Sequence, residues 1–254
     1  MKIMAIAWNT FRESIRDRIL YNLLIFALLL IVSTVALQEL TVATQQRVMV
    51  DLGLASISVF GTLMAIFLGI GLVYKEIDRR TIYTIVSKPI ARHWFIVGKF
   101  IGQMITLAVN LAVMAIMLEA VIFATLHLVD LAPVWAVAFL FLELMVLTSI
   151  AMLFSSFTTP TLSAIFTLSF WVMGHLVADM RNFAAHSAKA KVINTFAALT
   201  RTIPDLDRFN FKTLATYGEK MDPQTALYTI LLGLFYTVFF LALAALIFQR
   251  RDFK

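Results

Sequence analysis

Two acidic side chains inside long apolar runs are the best candidates for chemistry in this sequence. Glu119 lies in the run 100–126 and Glu143 in the run 134–154, each as the only charged residue of its run. Runs of this length span a bilayer, where a charge costs about 3 kcal/mol on insertion scales. Acids inside spans are functional candidates, and the hypothesis is that the two face each other or share a wet cavity along a polar path. The alternative is that each is protonated and bonded to Ser, Thr or Asn on a neighbouring helix.

A charged stretch, Glu76 to Lys99, lies between two apolar runs and must therefore return to water. Ile77, Ile82 and Ile85 recur among its charges, and Pro89 stops any helix there. The pattern predicts a short, stiff amphipathic helix at the bilayer surface. Such a helix can transmit force to a docked soluble partner. The alternative is a solvated basic loop that serves only to orient the chain.

Motifs of soluble enzymes are missing from the 254 residues. No GxxxxGK[ST] pattern occurs, because the pair Gly98-Lys99 is followed by Phe100, so ATP binding by a P-loop is excluded. Neither HExxH nor a serine flanked by glycines occurs. The four histidines are scattered over different segments and there is no cysteine, so no metal centre is predicted.

The composition indicates a polytopic membrane protein. Hydrophobic residues make up 61% of the chain and charged residues 14%, against about half and about a quarter in soluble domains. The net charge of +6 is therefore attributed to basic residues at the membrane edges, and no nucleic-acid partner is expected. We predict one all-α transmembrane domain over residues 1–254, with six transmembrane helices at 19–37, 51–74, 100–126, 134–154, 161–178 and 226–248.

Two segments outside the spans carry further helical patterns. Met4, Trp8 and Phe11 recur at helical spacing, which predicts an interfacial amphipathic helix over residues 1–18. An ordinary charged lead-in to the first span is the alternative. Residues 179–224 are predicted to form a partly helical extracytoplasmic segment, in which an apolar stripe over 192–203 is ended by Pro204.

Small residues occupy one face of the second span. Gly53, Gly61, Ala65 and Gly69 lie four or eight residues apart, and such a face lets another helix approach closely. We expect that helix to belong to the same chain, with a helix of a dimer mate as the alternative.

Lysine and arginine are concentrated on one side of the predicted spans. Residues 1–18, 75–99 and 250–254 together hold thirteen, whereas the loops 38–50 and 127–133 hold one. The segment 179–224 holds seven, offset by five acids, and long segments obey the positive-inside rule less strictly. Both termini and the charged stretch are therefore predicted to lie in the cytoplasm.

The charged stretch resembles the first cytoplasmic loop of ABC-2 type transporter permeases. In that family an E-x-E-x-G-T-I/L pattern precedes a Ser-x-Pro-I/V-x-R segment and a Gly-Lys pair. The matching residues here are Glu76, Asp78, Thr81, Ile82, Ser87, Lys88, Pro89, Ile90, Arg92, Gly98 and Lys99. Arg80 stands where the family usually has glycine. The layout of the whole chain is also similar, and the outer sequence Ile203–Asn210 resembles permeases like that of nitrous-oxide reductase maturation.

The resemblance implies a permease subunit with the architecture of ABC-2 (type V) exporters, which is not itself an enzyme. It would pair in the inner membrane with a second copy and with two separate ATPase subunits. ATP and Mg²⁺ would bind those subunits, with no cofactor in this chain, and a periplasmic partner could dock on residues 179–224. The residues implied in coupling to the ATPase are Glu76, Asp78, Arg79, Arg80, Thr81, Ile82, Ser87, Lys88, Pro89 and Arg92.

Two other classes of function compete with this interpretation. An ion-coupled secondary carrier would use Glu119 and Glu143 and need no partner. Such carriers commonly contain inverted repeats, and none is apparent between the two halves of this chain. A membrane-embedded enzyme would have to build its site from His175, Glu119 or Glu143 without a recognisable motif.

Overall fold

The computed structural model describes residues 2–38, 45–78, 92–127, 130–186, 204–218 and 221–250, and within these ranges every regular element is a helix. The elements are α1 (Lys2–Ile15), α2 (Arg18–Gln38), α3 (Gln45–Asp78), α4 (Arg92–Leu126), α5 (Ala132–Ser155), α6 (Pro160–His186), a 3₁₀ helix (Leu206–Phe209), α7 (Lys212–Tyr217) and α8 (Pro223–Arg250). Six of them, α2 to α6 and α8, are long and apolar enough to span a bilayer. The predicted all-α fold with six transmembrane helices is confirmed.

All six spanning helices extend beyond the predicted spans, and three of them do so by four or more residues. Helix α3 runs to Asp78, α4 begins at Arg92 and α6 runs to His186, whereas the sequence patterns put these span ends at 74, 100 and 178. No proline interrupts these extensions, and a helix satisfies its own backbone hydrogen bonds wherever it leaves the lipid. The two ends of the predicted loop 75–99 are therefore helical.

Helices α3 and α5 form the centre of the bundle. About two thirds of their span residues are buried (67%), against 22% for α2, α6 and α8. Helix α3 packs on α2, α4, α5 and α6, and α5 also packs on α4, α6 and α8. The remaining apolar faces of the outer helices are left for lipid.

The small-residue face of α3 is what allows this central packing. A Cβ atom added at Gly69 would lie 2.4 Å from the Cβ of Ala151 on α5, and one at Gly61 would lie 2.8 Å from the side chain of Leu144. Both neighbours belong to the same chain. The expected close approach within the chain is confirmed.

One end of the bundle, called here the α1 end, holds both described chain ends. Helix α1 packs across α4, where a Cβ atom at Gly102 would lie 2.4 Å from the carbonyl oxygen of Ala7. In the last turns of α8, Phe248 stacks on Phe95 of α4 with ring centroids 6.4 Å apart. Trp8, on the opposite face of α1, is exposed, and its position in the membrane interface stays a prediction.

The opposite end of the bundle is closed by a capping segment, residues 204–218. Leu206 and Phe209 are buried in the bundle, where two glycines make room for them. A Cβ atom at Gly174 would lie 2.7 Å from Leu206, and one at Gly233 would lie 2.9 Å from Phe209. The outer segment is partly helical, as predicted, and its predicted stripe over 192–203 lies outside the described residues.

Replacement of Gly69 by alanine is expected to lower the free energy of unfolding, with Gly53→Ala as the matched control. At Gly69 the new methyl would meet the Ala151 Cβ and, at 3.2 Å, the Thr148 carbonyl oxygen. Neither atom can rotate away, so α3 and α5 must separate at a cost of about 1–3 kcal/mol. At Gly53 the nearest atoms are the flexible end of the Leu118 side chain. Unfolding in detergent measures both variants, and equal stability would contradict a rigid contact at Gly69.

Candidate functional site

Glu143 lies buried in a polar cluster between α5, α6 and the capping segment. Its side chain is 1% exposed. Trp171 donates its indole N–H to Oε1 at 3.0 Å, and Nε2 of His175 lies 3.4 Å from the same oxygen. The two partners are four residues apart on α6 and therefore lie on the same face of that helix. The carboxyl group thus joins the central helix α5 to the outer helix α6.

The contact between Glu143 and His175 requires a proton between the two groups. Nδ1 of His175 lies 3.1 Å from the carbonyl oxygen of Trp171. A carbonyl oxygen only accepts, so Nδ1 carries a hydrogen. Nε2 then meets Oε1 either as the second N–H of an imidazolium or as a lone pair that accepts a hydrogen from a protonated Glu143. Two bare lone pairs at this distance would repel each other.

Lys212 brings a basic group from the capping segment towards this cluster. Its Nζ donates to Oγ of Ser58 on α3 at 2.7 Å. Burial lowers the pKa of Lys212, and the nearby carboxylates of Glu143, Asp207 and Asp51 oppose that lowering. The lysine therefore ties the capping segment to the central helix α3 while the surrounding acids stabilise its charge.

Glu119 occupies a separate environment. It lies on α4, partly exposed, and its charged neighbour is Asp130, just before α5. Asp130 accepts hydrogen bonds from the side chain of Gln46 at 3.4 Å and from the backbone N–H of Ala132 at 2.9 Å. The described residues give Glu119 and Glu143 no common partner. The polar path along both acids stays a prediction. The alternative was that each acid is bonded to a Ser, Thr or Asn side chain of a neighbouring helix. For Glu143, the partners are instead the indole of Trp171 and the imidazole of His175.

Most of the residues implied in coupling lie outside the described ranges. These are Arg79, Arg80, Thr81, Ile82, Ser87, Lys88 and Pro89. Glu76 and Asp78 belong to the last turn of α3, and Arg92 is the first residue of α4. The charged stretch is therefore attached to the central helix and to one of its neighbours, and its role in docking stays a prediction.

A cavity of about 340 Å³ lies at the α1 end. Its walls come from α1, the start of α2, the last third of the span of α3, and the first turns of α4 and α6. The lining contains the carboxyl groups of Glu13 and Asp17 and the side chain of Lys99. It also has an apolar part, to which Phe67 and Ile70 of α3 belong. The two ends of the bundle therefore differ, with a cavity at one and a packed capping segment at the other.

Sequence reasoning singled out Glu143 and named His175 with it as a possible enzyme site, but it did not name Trp171, Lys212 or Ser58. Trp171 and His175 carried a readable signal, because polar groups four residues apart in a span mark one helix face. Lys212 and Ser58 carried none. The contact between them depends on how the capping segment folds back over the bundle, and no local pattern encodes that path.

Replacement of Trp171 by phenylalanine is expected to destabilise the protein by about 1–3 kcal/mol, the range for leaving a buried polar group without its partner. The change removes the indole donor to Glu143 and keeps an aromatic ring. Trp135→Phe on α5 is the matched control, because that side chain is 62% exposed. Thermal unfolding in detergent compares the two variants. A Trp171 variant as stable as the Trp135 variant would show that the hydrogen bond contributes nothing.

Comparison with known families gives one match, which covers nearly the whole chain. The sequence profile of the ABC-2 family transporter protein matches residues 4–253. That range contains all six apolar helices, the polar cluster and the capping segment. No curated protein matches the chain. Because the match covers nearly the whole length, the chain belongs to the ABC-2 family of transporter proteins.

Proposed function

We propose that this chain is the permease subunit of an ABC exporter that moves its cargo with ATP hydrolysed by separate ATPase subunits. The observation that carries the proposal is the family match over residues 4–253 in a sequence without a nucleotide-binding P-loop. A transporter of this family that lacks a P-loop needs a partner to bind ATP and Mg²⁺. A complex of two permeases and two ATPases is the proposed assembly, and the permease itself catalyses no reaction.

The charged stretch between α3 and α4 is the proposed docking element for the ATPase. It leads directly into α3, which packs on four other transmembrane helices, so a push on the stretch would reach most of the bundle. The proposed docking residues are the ten that the resemblance implies in coupling, with Glu76 and Asp78 meeting basic or amide groups of the partner. The excess of lysine and arginine at the α1 end supports a cytoplasmic position for this end and for both termini, in an inner membrane.

The shape of the bundle supports export as the direction of transport. The cavity at the α1 end is on the proposed cytoplasmic side, where a cargo for export would enter. The capping segment fills the other end with Leu206 and Phe209, and it would have to move before cargo could leave. The sequence 203–210 also supports the proposed kinship with permeases of nitrous-oxide reductase maturation. The outer face of the capping segment is a proposed site for a periplasmic partner.

A proton-coupled carrier is the second candidate function. The observation that favours it is the proton required between Glu143 and His175 inside the spans. Movement of the cargo driven by a pH gradient, in vesicles that contain this chain and no nucleotide, would support the carrier. Dependence on ATP and on a co-purified ATPase would support the exporter.

Loss of Glu76 or Pro89 is expected to uncouple the permease from its ATPase. The complex would be purified from cells that also express its partner ATPase, and ATP hydrolysis would be compared with that of the ATPase alone. Glu76→Ala and Pro89→Ala are expected to reduce permease-dependent hydrolysis several-fold, because a docked helix needs both its contacts and its defined end. Asp222→Asn is the control, since it removes an acid at the opposite end and keeps a good helix cap. Normal ATP-dependent transport in both variants, with normal hydrolysis and co-purification, would exclude the stretch as the coupling element.

A disulfide between the capping segment and α6 is expected to block opening of the outer end. The chain has no cysteine, so Gly174→Cys with Leu206→Cys gives a single pair. A Cβ atom at Gly174 would lie 3.2 Å from the Cβ of Leu206, close to disulfide geometry. In the assembled complex, ATP with vanadate is expected to slow oxidative cross-linking of this pair if the segment moves.

The matched control pair is Ile6→Cys with Gly98→Cys, between α1 and α4. A Cβ atom at Gly98 would lie 3.0 Å from the Cβ of Ile6, a similar separation far from the capping segment. Its cross-linking rate is expected to stay the same with and without nucleotide. If nucleotide changed the cross-linking rate of neither pair, an outer gate formed by the capping segment would be contradicted.

A further inference from the structure

We propose that Glu143 and His175 form a proton-binding site that is reached from the outer end of the bundle and holds the capping segment closed. Nε2 of His175 lies 3.4 Å from Oε1 of Glu143, and this contact needs a proton because Nδ1 already carries a hydrogen towards the carbonyl oxygen of Trp171. The inference rests on the proposed role of the capping segment as an outer gate. It adds a ligand, the proton, that controls this gate.

The exposed part of this site lies towards the outer end. Helix α6 starts at the cavity of the α1 end, to which Pro160 belongs, so its far end lies at the opposite end of the bundle. His175 comes just before the apolar span of α6 ends at Val177, and its side chain is 24% exposed. The described lining of the cavity contains neither His175 nor Glu143. A carrier must expose its site to each side in turn, so this one-sided exposure favours a sensor of outer pH.

The capping segment lies on the face of α5 that carries Glu143. Phe139 is four residues before Glu143 and therefore on the same helix face, and its ring centroid is 4.2 Å from that of Phe211 in the capping segment. On α6, Gly174 packs directly against the segment, next to His175. Both groups that share the proton therefore lie beside contacts that keep the segment in place.

The charges around Glu143 balance only while the proton is present. Lys212 and Asp207 of the capping segment act on Glu143. With the proton, the two acids are balanced by Lys212 and by the proton itself. Without it, two acids share one lysine, and a buried charge that lacks compensation is costly. Withdrawal of the capping segment would hydrate Glu143 and remove that cost.

Closure is therefore expected to weaken as the pH rises. The closed form needs the proton and the open, hydrated form does not, so low pH favours closure. The other ionisable groups on the elements around the site are Lys212, Asp207, Asp51 of α3, Glu119 of α4 and Tyr236 of α8. Burial lowers the pKa of Lys212, and loss of its proton would act in the same direction, so a variant must identify the titrating group.

The test is a pulsed electron paramagnetic resonance distance measurement on the purified full chain, spin-labelled at Thr213→Cys in the capping segment and Trp135→Cys on α5. The chain has no cysteine of its own, and both positions are exposed. Dilution with unlabelled chain restricts the signal to distances within one chain. We expect the population with the longer distance to grow several-fold from about pH 5.5 to about pH 8.5, a range that covers the ordinary titration of histidine. The reference pair Trp135→Cys with Leu227→Cys, on α5 and α8, should not change.

Three variants identify the group that binds the proton. Glu143→Gln replaces the carboxyl by an amide that can donate to Nε2 of His175 and accept from Trp171, so the short distance is expected at both pH values. His175→Gln is expected to remove the pH response, because an amide does not titrate in this range. His127→Asn is the matched control: this histidine is exposed at the outer end of α4, and asparagine tolerates its positive φ of 53°. The control should respond to pH like the unmodified chain.

Three results would overturn the proton site: a distance that does not change with pH, opening at low instead of high pH, or an undiminished response of the His175→Gln variant. The measurement needs neither ATPase nor nucleotide. Any of these results would therefore leave the permease proposal intact, and a failure to find an ATPase partner would leave the proton site intact.

Discussion

The close contact between α3 and α5 is the constraint on which the rest of the bundle depends. The hydrophobic effect does not hold helices together in lipid, so association relies on close packing and on hydrogen bonds between helices. Gly69 against Ala151 supplies the packing. Near it, Ser155 donates to the carbonyl oxygen of Ile70 at 3.0 Å, and the side-chain amide of Gln103 on α4 donates to the carbonyl oxygen of Leu68. The last turns of the α3 span are thereby fixed to two neighbours.

Helix α3 also links the two ends of the molecule. With 34 residues it is about 50 Å long at 1.5 Å per residue, longer than the hydrocarbon core of about 30 Å. One end leads into the charged stretch, and Ser58, nearer the other end, holds Lys212 of the capping segment. A displacement of this helix would therefore shift both the charged stretch and the contact with the capping segment.

The spans and the glycine face were predictable because they depend on local patterns. Apolar runs report burial in lipid, and the spacing of Gly61 and Gly69 reports a close helix contact whatever the partner is. Glu143 was predictable as an exception to its run, and its partners Trp171 and His175 carried a readable signal at helical spacing. Lys212 was not predictable, because it reaches the cluster through tertiary folding. The same holds for α1. Its apolar stripe could be predicted from the spacing of Met4, Trp8 and Phe11. The contact of Ala7 with Gly102 could not, because it depends on how α1 lies across α4.

The polar cluster around Glu143 would affect the proposed opening of the capping segment in a way that apolar packing would not. Buried charges lose hydration, and an apolar replacement of similar volume is often as stable or more so. If the capping segment withdraws, Glu143 and Lys212 regain water, so part of the cost of exposing the cluster is returned. Leu206 and Phe209 act in the opposite sense, because their exposure to water is unfavourable. The closed end therefore combines an apolar part that favours closure with a charged part that reduces the energy of the open state. That balance is what a segment needs if it is to seal one end of a transporter and still be moved by a push of limited energy from the other.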